Sequence, residues 1–155
     1  MTPHLPVKLS ITHRFKASAE RVFDAWLDPS KTRHWLFVTR PNTPLVRSEI
    51  DARVGGTFCF ADLRDGEEVE HVGEYLEIDR PRRLVFTLCV PKYSQDKDRL
   101  TVDIVPLGTG CELTLTHEMG PEGEPWRERT TKGWTHLVAG LDAWLGEGTS
   151  PAAHD

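Results

Sequence analysis

An acidic chain of 155 residues, with 38% hydrophobic and 28% charged residues and a net charge of −5, suits one globular domain with its own core. That balance excludes a disordered chain, and it argues against a phosphate-neutralising nucleic-acid binder. The longest apolar run, 84–90, is too short to span a bilayer, so no membrane insertion is expected.

Strict alternation in VKLSITHRF (7–15) puts Val7, Leu9, Ile11, His13 and Phe15 on one face of a half-buried strand. In SAERVFDAWLDPSKTRHWL (18–36), Ser18 is a natural N-cap, and Val22, Phe23 and Trp26 form an apolar stripe. Asp28-Pro29 ends that helix and starts another, so two short helices follow the first strand. VTRPNTPL (38–45) reads as a proline-bearing loop, and VGG (54–56) as a bend leading into a strand.

Asp65-Gly66 is a strong hairpin signal. A two-residue turn there sets Phe60 opposite His71 and Phe58 opposite Gly73, with Phe58, Phe60, His71, Gly73 and Tyr75 sharing one face. An aromatic ring opposite a strand glycine can cover the bare backbone. RPRR (80–83), the densest basic spot, reads as a solvated turn. RLVFTLCV (83–90) alternates with Leu84, Phe86, Leu88 and Val90 in phase. A turn at Gly108-Thr109 then pairs Ile104 with Leu113, Val102 with Leu115, and Leu100 with His117. The reverse face, from Thr101 and Asp103 to Thr116 and Glu118, is polar.

An antiparallel sheet with one wet face needs a cover for the other. The remaining long element is a C-terminal helix from about Glu124-Pro125 to Gly146. Its apolar stripe is Trp134, Leu137, Val138, Leu141 and Leu145, with Trp126 and Trp144 at one edge. Gly133 and Gly140 share that edge. Since glycine costs a helix about 1 kcal/mol relative to alanine, close packing of a neighbour is the expected reason for both, in preference to room left at a pocket mouth.

This order of elements resembles the helix-grip fold of the START-like (SRPBCC) superfamily, shared with the major birch pollen allergen and lipid-transfer domains. Four stretches carry a nearer resemblance to the Aha-type family, the homologues of the activator of the ninety-kilodalton heat-shock protein ATPase. They are SAERVFDAWLDPSKTRHWL, DARVGGTFCF (51–60), HVGEYLEIDRPRRLVFT (71–87), and LTLTHEM with GWTHLVAGLDAWL (113–145). The resemblance implies an α+β fold with a curved antiparallel sheet of about six or seven strands gripping the long C-terminal helix. A single domain over 1–148 and a frayed tail over 149–155 are expected. The eukaryotic activator carries a further N-terminal domain, which is not expected within these 155 residues.

The resemblance also implies a cavity between helix and sheet. Its expected lining is Phe58, Phe60, His71, Tyr75, Phe86, Leu88, His117, Met119, Trp134 and Val138. The plain alternative is that these residues make a filled core. His71 and His117 each interrupt an apolar strand face, as ligand-binding groups or as buried histidines with structural partners. The Tyr75 hydroxyl joins them or reaches solvent at the rim. The leading expectation is a domain that binds a small apolar or amphipathic molecule. An enzyme of aromatase/cyclase or hydrolase type, using His71, His117 or Tyr75, is the alternative, and a chaperone-accessory interaction domain is a third.

No hydrolase, zincin or phosphate-loop signature is present, so no catalytic residue and no cofactor is assigned. The seven histidines lack ligand-like spacing, so no metal is expected. Cys59, Cys89 and Cys111 form no CxxC pair and sit inside strands, which suits reduced thiols in a cytoplasmic protein. The N-terminus shows no signal-peptide pattern. Expected partners are a small hydrophobic molecule, a chaperone or other protein, or a second copy in a homodimer, and no nucleic acid.

Overall fold

The computed structural model describes residues 5–38 and 43–148. The expected tail at 149–155 and part of the proline-bearing loop lie outside these residues.

Strand β1 (Val7–Phe15) leads into α1 (Ala19–Leu27) and the single turn of α2 (Pro29–Thr32). The caps are those the sequence offers. The Ser18 hydroxyl accepts from the Arg21 N–H at 3.2 Å, and the Asp28 carboxylate accepts from the Ser30 N–H at 2.9 Å. Then come β2 (Arg47–Ile50), β3 (Thr57–Arg64), β4 (Glu67–Asp79), β5 (Arg83–Leu88), β6 (Asp98–Leu107) and β7 (Gly110–Met119). They form one curved antiparallel sheet in the order β1-β7-β6-β5-β4-β3-β2. Both hairpin registers follow the turn chemistry: Phe60 faces His71 and Phe58 faces Gly73, while Ile104 faces Leu113 and Leu100 faces His117. The fold is α+β, of helix-grip type.

β2 is the strand the pattern does not announce. RSEI has no run of alternating apolar residues, because an edge strand of four residues is held mainly by its backbone pairing to β3. The C-terminal helix also starts later than expected. A 3-10 segment over Pro121–Trp126 precedes α3 (Arg127–Gly148). Pro125 has no N–H to donate, so regular helix begins only after it.

α3 lies on the apolar face of the sheet, with Trp134, Val138, Leu141 and Leu145 buried. Two polar ties fix it from the side: His13 Nε2 to Asp142 Oδ2 at 2.8 Å, and the Arg21 guanidinium to the Leu145 carbonyl at 3.2 Å. The opposite sheet face carries polar cross-strand pairs, among them Ser10–Thr116, Thr12–Thr114 and a two-pronged Arg99–Glu118 bridge. The RPRR turn is neutralised locally. Arg80 pairs with Asp24, Arg82 with Asp79, and Arg83 with Asp103 and Glu77.

The close-packing expectation for Gly133 and Gly140 is overturned. Both are exposed, and a Cβ built on either meets nothing within 4 Å. Gly73, by contrast, is the site of close approach. A Cβ there would lie 2.6 Å from the Phe58 ring and collide with the Thr87 carbonyl. Among the described residues no helix is long and apolar enough to cross a membrane.

Candidate functional site

Alternation along β3, β4, β5 and β7 sends Phe58, Phe60, His71, Tyr75, Phe86, Leu88, His117 and Met119 to the face that α3 covers with Trp134 and Val138. All ten residues are buried. Their rings interlock. Phe58 lies 5.0 Å from Phe60, 5.4 Å from Tyr75 and 5.5 Å from Phe86, centroid to centroid. Tyr75 is only 2% exposed, so it belongs to this cluster rather than to a solvent rim. Burial holds its phenol well above the usual range.

Three further rings complete the cluster. Trp26 of α1 packs edge-on against Trp35 at 4.7 Å and lies 6.2 Å from Trp134. Phe37, just after α2, stacks on His71 at 4.3 Å and 15°, and also meets Phe60 and Trp134. The sequence marked Trp26 as core, but Phe37 carries no signal beyond its place in the apolar run WLFV. Its backbone is in the left-handed region at φ 62°. For a bulky L-residue that conformation costs roughly 1–2 kcal/mol, and it persists only where the surroundings enforce it.

The two histidines occupy different electrostatic settings. His117 is held at both nitrogens. Trp134 Nε1 donates to its Nδ1 at 2.9 Å, and its Nε2 meets Asp98 Oδ2 at 2.8 Å. An indole nitrogen only donates, so Nδ1 carries the lone pair and Nε2 the proton. His117 is therefore a strut between α3 and the start of β6, with no nitrogen left for acid-base work.

His71 is the reverse. It is 6% exposed, and its Nδ1 has no hydrogen-bond partner. Burial, with the nearby Arg64 charge, lowers its pKa to about 4, against the opposing pull of the Phe60 and Val69 backbone and of Asp62. It is a neutral imidazole near neutral pH. The indole N–H of Trp26 is likewise buried without a partner. The large majority of buried side-chain polar atoms in proteins find a partner, so these two nitrogens stand out.

The remaining chemistry is quiet. The three cysteines are free thiols, and burial raises each of them, Cys111 to about 11, which disfavours the nucleophilic thiolate. Among the described residues no three His, Cys, Asp or Glu side chains gather as a metal ion would require. A separate open groove beside α2 and β2 is lined by polar residues such as Ser30, Arg33, Arg47 and Ser48, and by none of the expected site residues.

Comparison with known proteins agrees with this architecture. No curated protein matches the chain. Among solved structures, protein CV1439 from Chromobacterium violaceum shares 26% identity over 89% of this chain and 96% of its own, with a TM-score of 0.71. The AHSA1-like protein from Aeromonas hydrophila has 20% identity, coverage of 96% and 99%, and a TM-score of 0.79. A Staphylococcus aureus protein of unknown function, SA2116, has 16% identity, coverage of 92% and 95%, and a TM-score of 0.80. The last two likenesses speak to fold alone. The profile of the family described as activator of Hsp90 ATPase homolog 1-like protein matches residues 16–146, nearly the whole chain, and the chain belongs to that family.

Proposed function

We propose that this protein is a START-like binding domain that takes a small apolar or amphipathic molecule between α3 and the sheet. One observation carries the reading: His71 Nδ1 and Trp26 Nε1 lie unpartnered within an otherwise apolar aromatic cluster. A binding interior of this kind combines apolar walls with a few polar groups that orient the ligand. An enzyme acting through His117 is disfavoured, since both of its nitrogens are engaged. The free thiols suit a cytoplasmic protein.

The experiment is direct. The protein is purified without detergent, its extract is analysed by mass spectrometry, and its melting temperature is followed against a panel of fatty acids, phenols and steroids. A co-purifying molecule, or a saturable rise in melting temperature, is the expected result. A panel that leaves the melting temperature unmoved, with an empty extract, removes the reading. In that event the chaperone-accessory reading that the family description suggests takes its place. It is tested by stimulation of an Hsp90-type ATPase, with a homodimer checked by light scattering.

A further inference from the structure

A free edge of the sheet runs beside the open groove at α2. β2 is the last strand in the sheet order, with β3 on one side and no strand on the other. Hydrogen bonds alternate along an antiparallel pair, and the Asp51 N–H donates to the Thr57 carbonyl at 2.9 Å. The same alternation gives Glu49 to Cys59, and it points the N–H and C=O of Ser48 and Ile50 away from β3. Proline, lysine or a covering element commonly blunts such an edge. β2 (RSEI) contains neither proline nor lysine. α2 stands beside the edge instead of over it. The Ser48 hydroxyl reaches the Pro29 carbonyl at 3.0 Å, yet a groove of about 650 Å³ stays open between the two elements.

The groove walls carry charges without counterparts. Pro29, Ser30 and Arg33 form the inner wall, and Arg47 and Glu49, on the outer sheet face, form the other. Arg47 is taken up by Glu68 and Glu70. Arg33 and Glu49 are exposed, and among the described residues neither enters an ion pair.

We propose that this groove takes an extended peptide of a partner protein as an added strand beside β2, with an acidic side chain on Arg33 and the adjacent residue, a base, on Glu49. Consecutive side chains of a strand point to opposite faces, so neighbouring positions of the peptide meet opposite walls. Main-chain bonds to Ser48 and Ile50 supply affinity, and the two charged walls supply specificity. The four residues of β2 limit the pairing to a short segment. A second copy of this chain fits less well. The edge of a folded sheet brings its neighbouring strands with it, whereas a groove walled by α2 suits a single strand. The site lies outside the aromatic interior, so it stands or falls separately from the binding-domain reading.

The test uses the full chain and a blocked peptide, acetyl-Thr-Val-Glu-Lys-Val-Thr-amide, followed through the backbone amide resonances. Saturable shifts at Ser48 and Ile50, with a Kd of about 1 mM or tighter, are expected. Arg33→Glu changes an exposed side chain, with the fold checked by cooperative unfolding, and should weaken the peptide about fivefold or more. Arg33→Glu combined with Glu49→Lys should then prefer the peptide with its Glu and Lys exchanged, again by about fivefold or more. Two further peptides, N-methylated at the odd or at the even residues, keep every charge. One of them should lose binding to wild type and the other keep it, because only one set of amides faces β2. Binding kept by both overturns the added strand. No saturation up to about 5 mM overturns the site, as do shifts confined to other parts of the chain. An unchanged affinity in folded Arg33→Glu overturns the acidic anchor. A dimer of the protein alone, with Ser48 and Ile50 protected from amide exchange, overturns the peptide in favour of a second copy.

Discussion

The charge on His71 couples this aromatic cluster to pH. Its pKa in the folded chain is about 4, whereas an unfolded histidine titrates near 6.5. Between those values the unfolded chain binds more protons, so stability falls as pH drops from 6.5 to 4 and is flat in this respect above 6.5. The full loss is roughly 3 kcal/mol. In urea denaturation at pH 7.0 and 4.5, wild type should lose about 2 kcal/mol or more beyond what His71→Leu loses. Equal losses would mean that His71 is not held neutral by burial. His117 differs because its partners are fixed. Removing the indole donor in Trp134→Phe strands Nδ1 and is expected to cost about 1–3 kcal/mol. A double-mutant cycle with His117→Leu should then show a coupling of about 1 kcal/mol, and additive losses would dissolve the strut.

Elements show why some features are legible and others are not. Period-two alternation and two-residue turns fix register from local chemistry, so the β3–β4 and β6–β7 pairings follow from Asp65-Gly66 and Gly108-Thr109. β2 escapes because its pairing is held by backbone groups that every residue carries. The glycines mislead for a related reason. Sequence alone reveals that a side chain is missing, and only the three-dimensional surroundings reveal what it would have touched. Gly73 opposes the Phe58 ring and the Thr87 carbonyl, so Gly73→Ala should destabilise by about 1–3 kcal/mol through overpacking. Gly133 and Gly140 face open space within α3, so alanine at each should stabilise by about 0.5–1 kcal/mol, nearly additively. Both signs are read from denaturant midpoints at constant slope. A loss of stability at Gly133→Ala or Gly140→Ala would mean that something other than the chain itself packs on that helix face.

At the scale of the molecule, the expected site residues converge because strand faces and helix stripe can be read from periodicity, and burial then forces them together. What the sequence withholds is which non-periodic residue closes the space. Phe37 follows a one-turn helix, in a conformation that no local pattern encodes. That asymmetry bears on how a ligand would act on the whole fold. The sheet is laterally continuous, and α3 touches it through the aromatic cluster and through the His13–Asp142 tie to β1. A molecule seated among Phe60, His71 and Trp134 would bridge α3 to the β3–β4 hairpin. At about 100 times its Kd such a ligand adds about 2.7 kcal/mol of stability by mass action. The gain should not be uniform, because local opening has its own free energy in each region. Amide exchange is therefore expected to slow most in α3 around Trp134 and in β3–β4, and least in β1 and its pairing with β7. Exchange that slows instead along β1, or equally everywhere, would place the bound molecule somewhere other than this cluster.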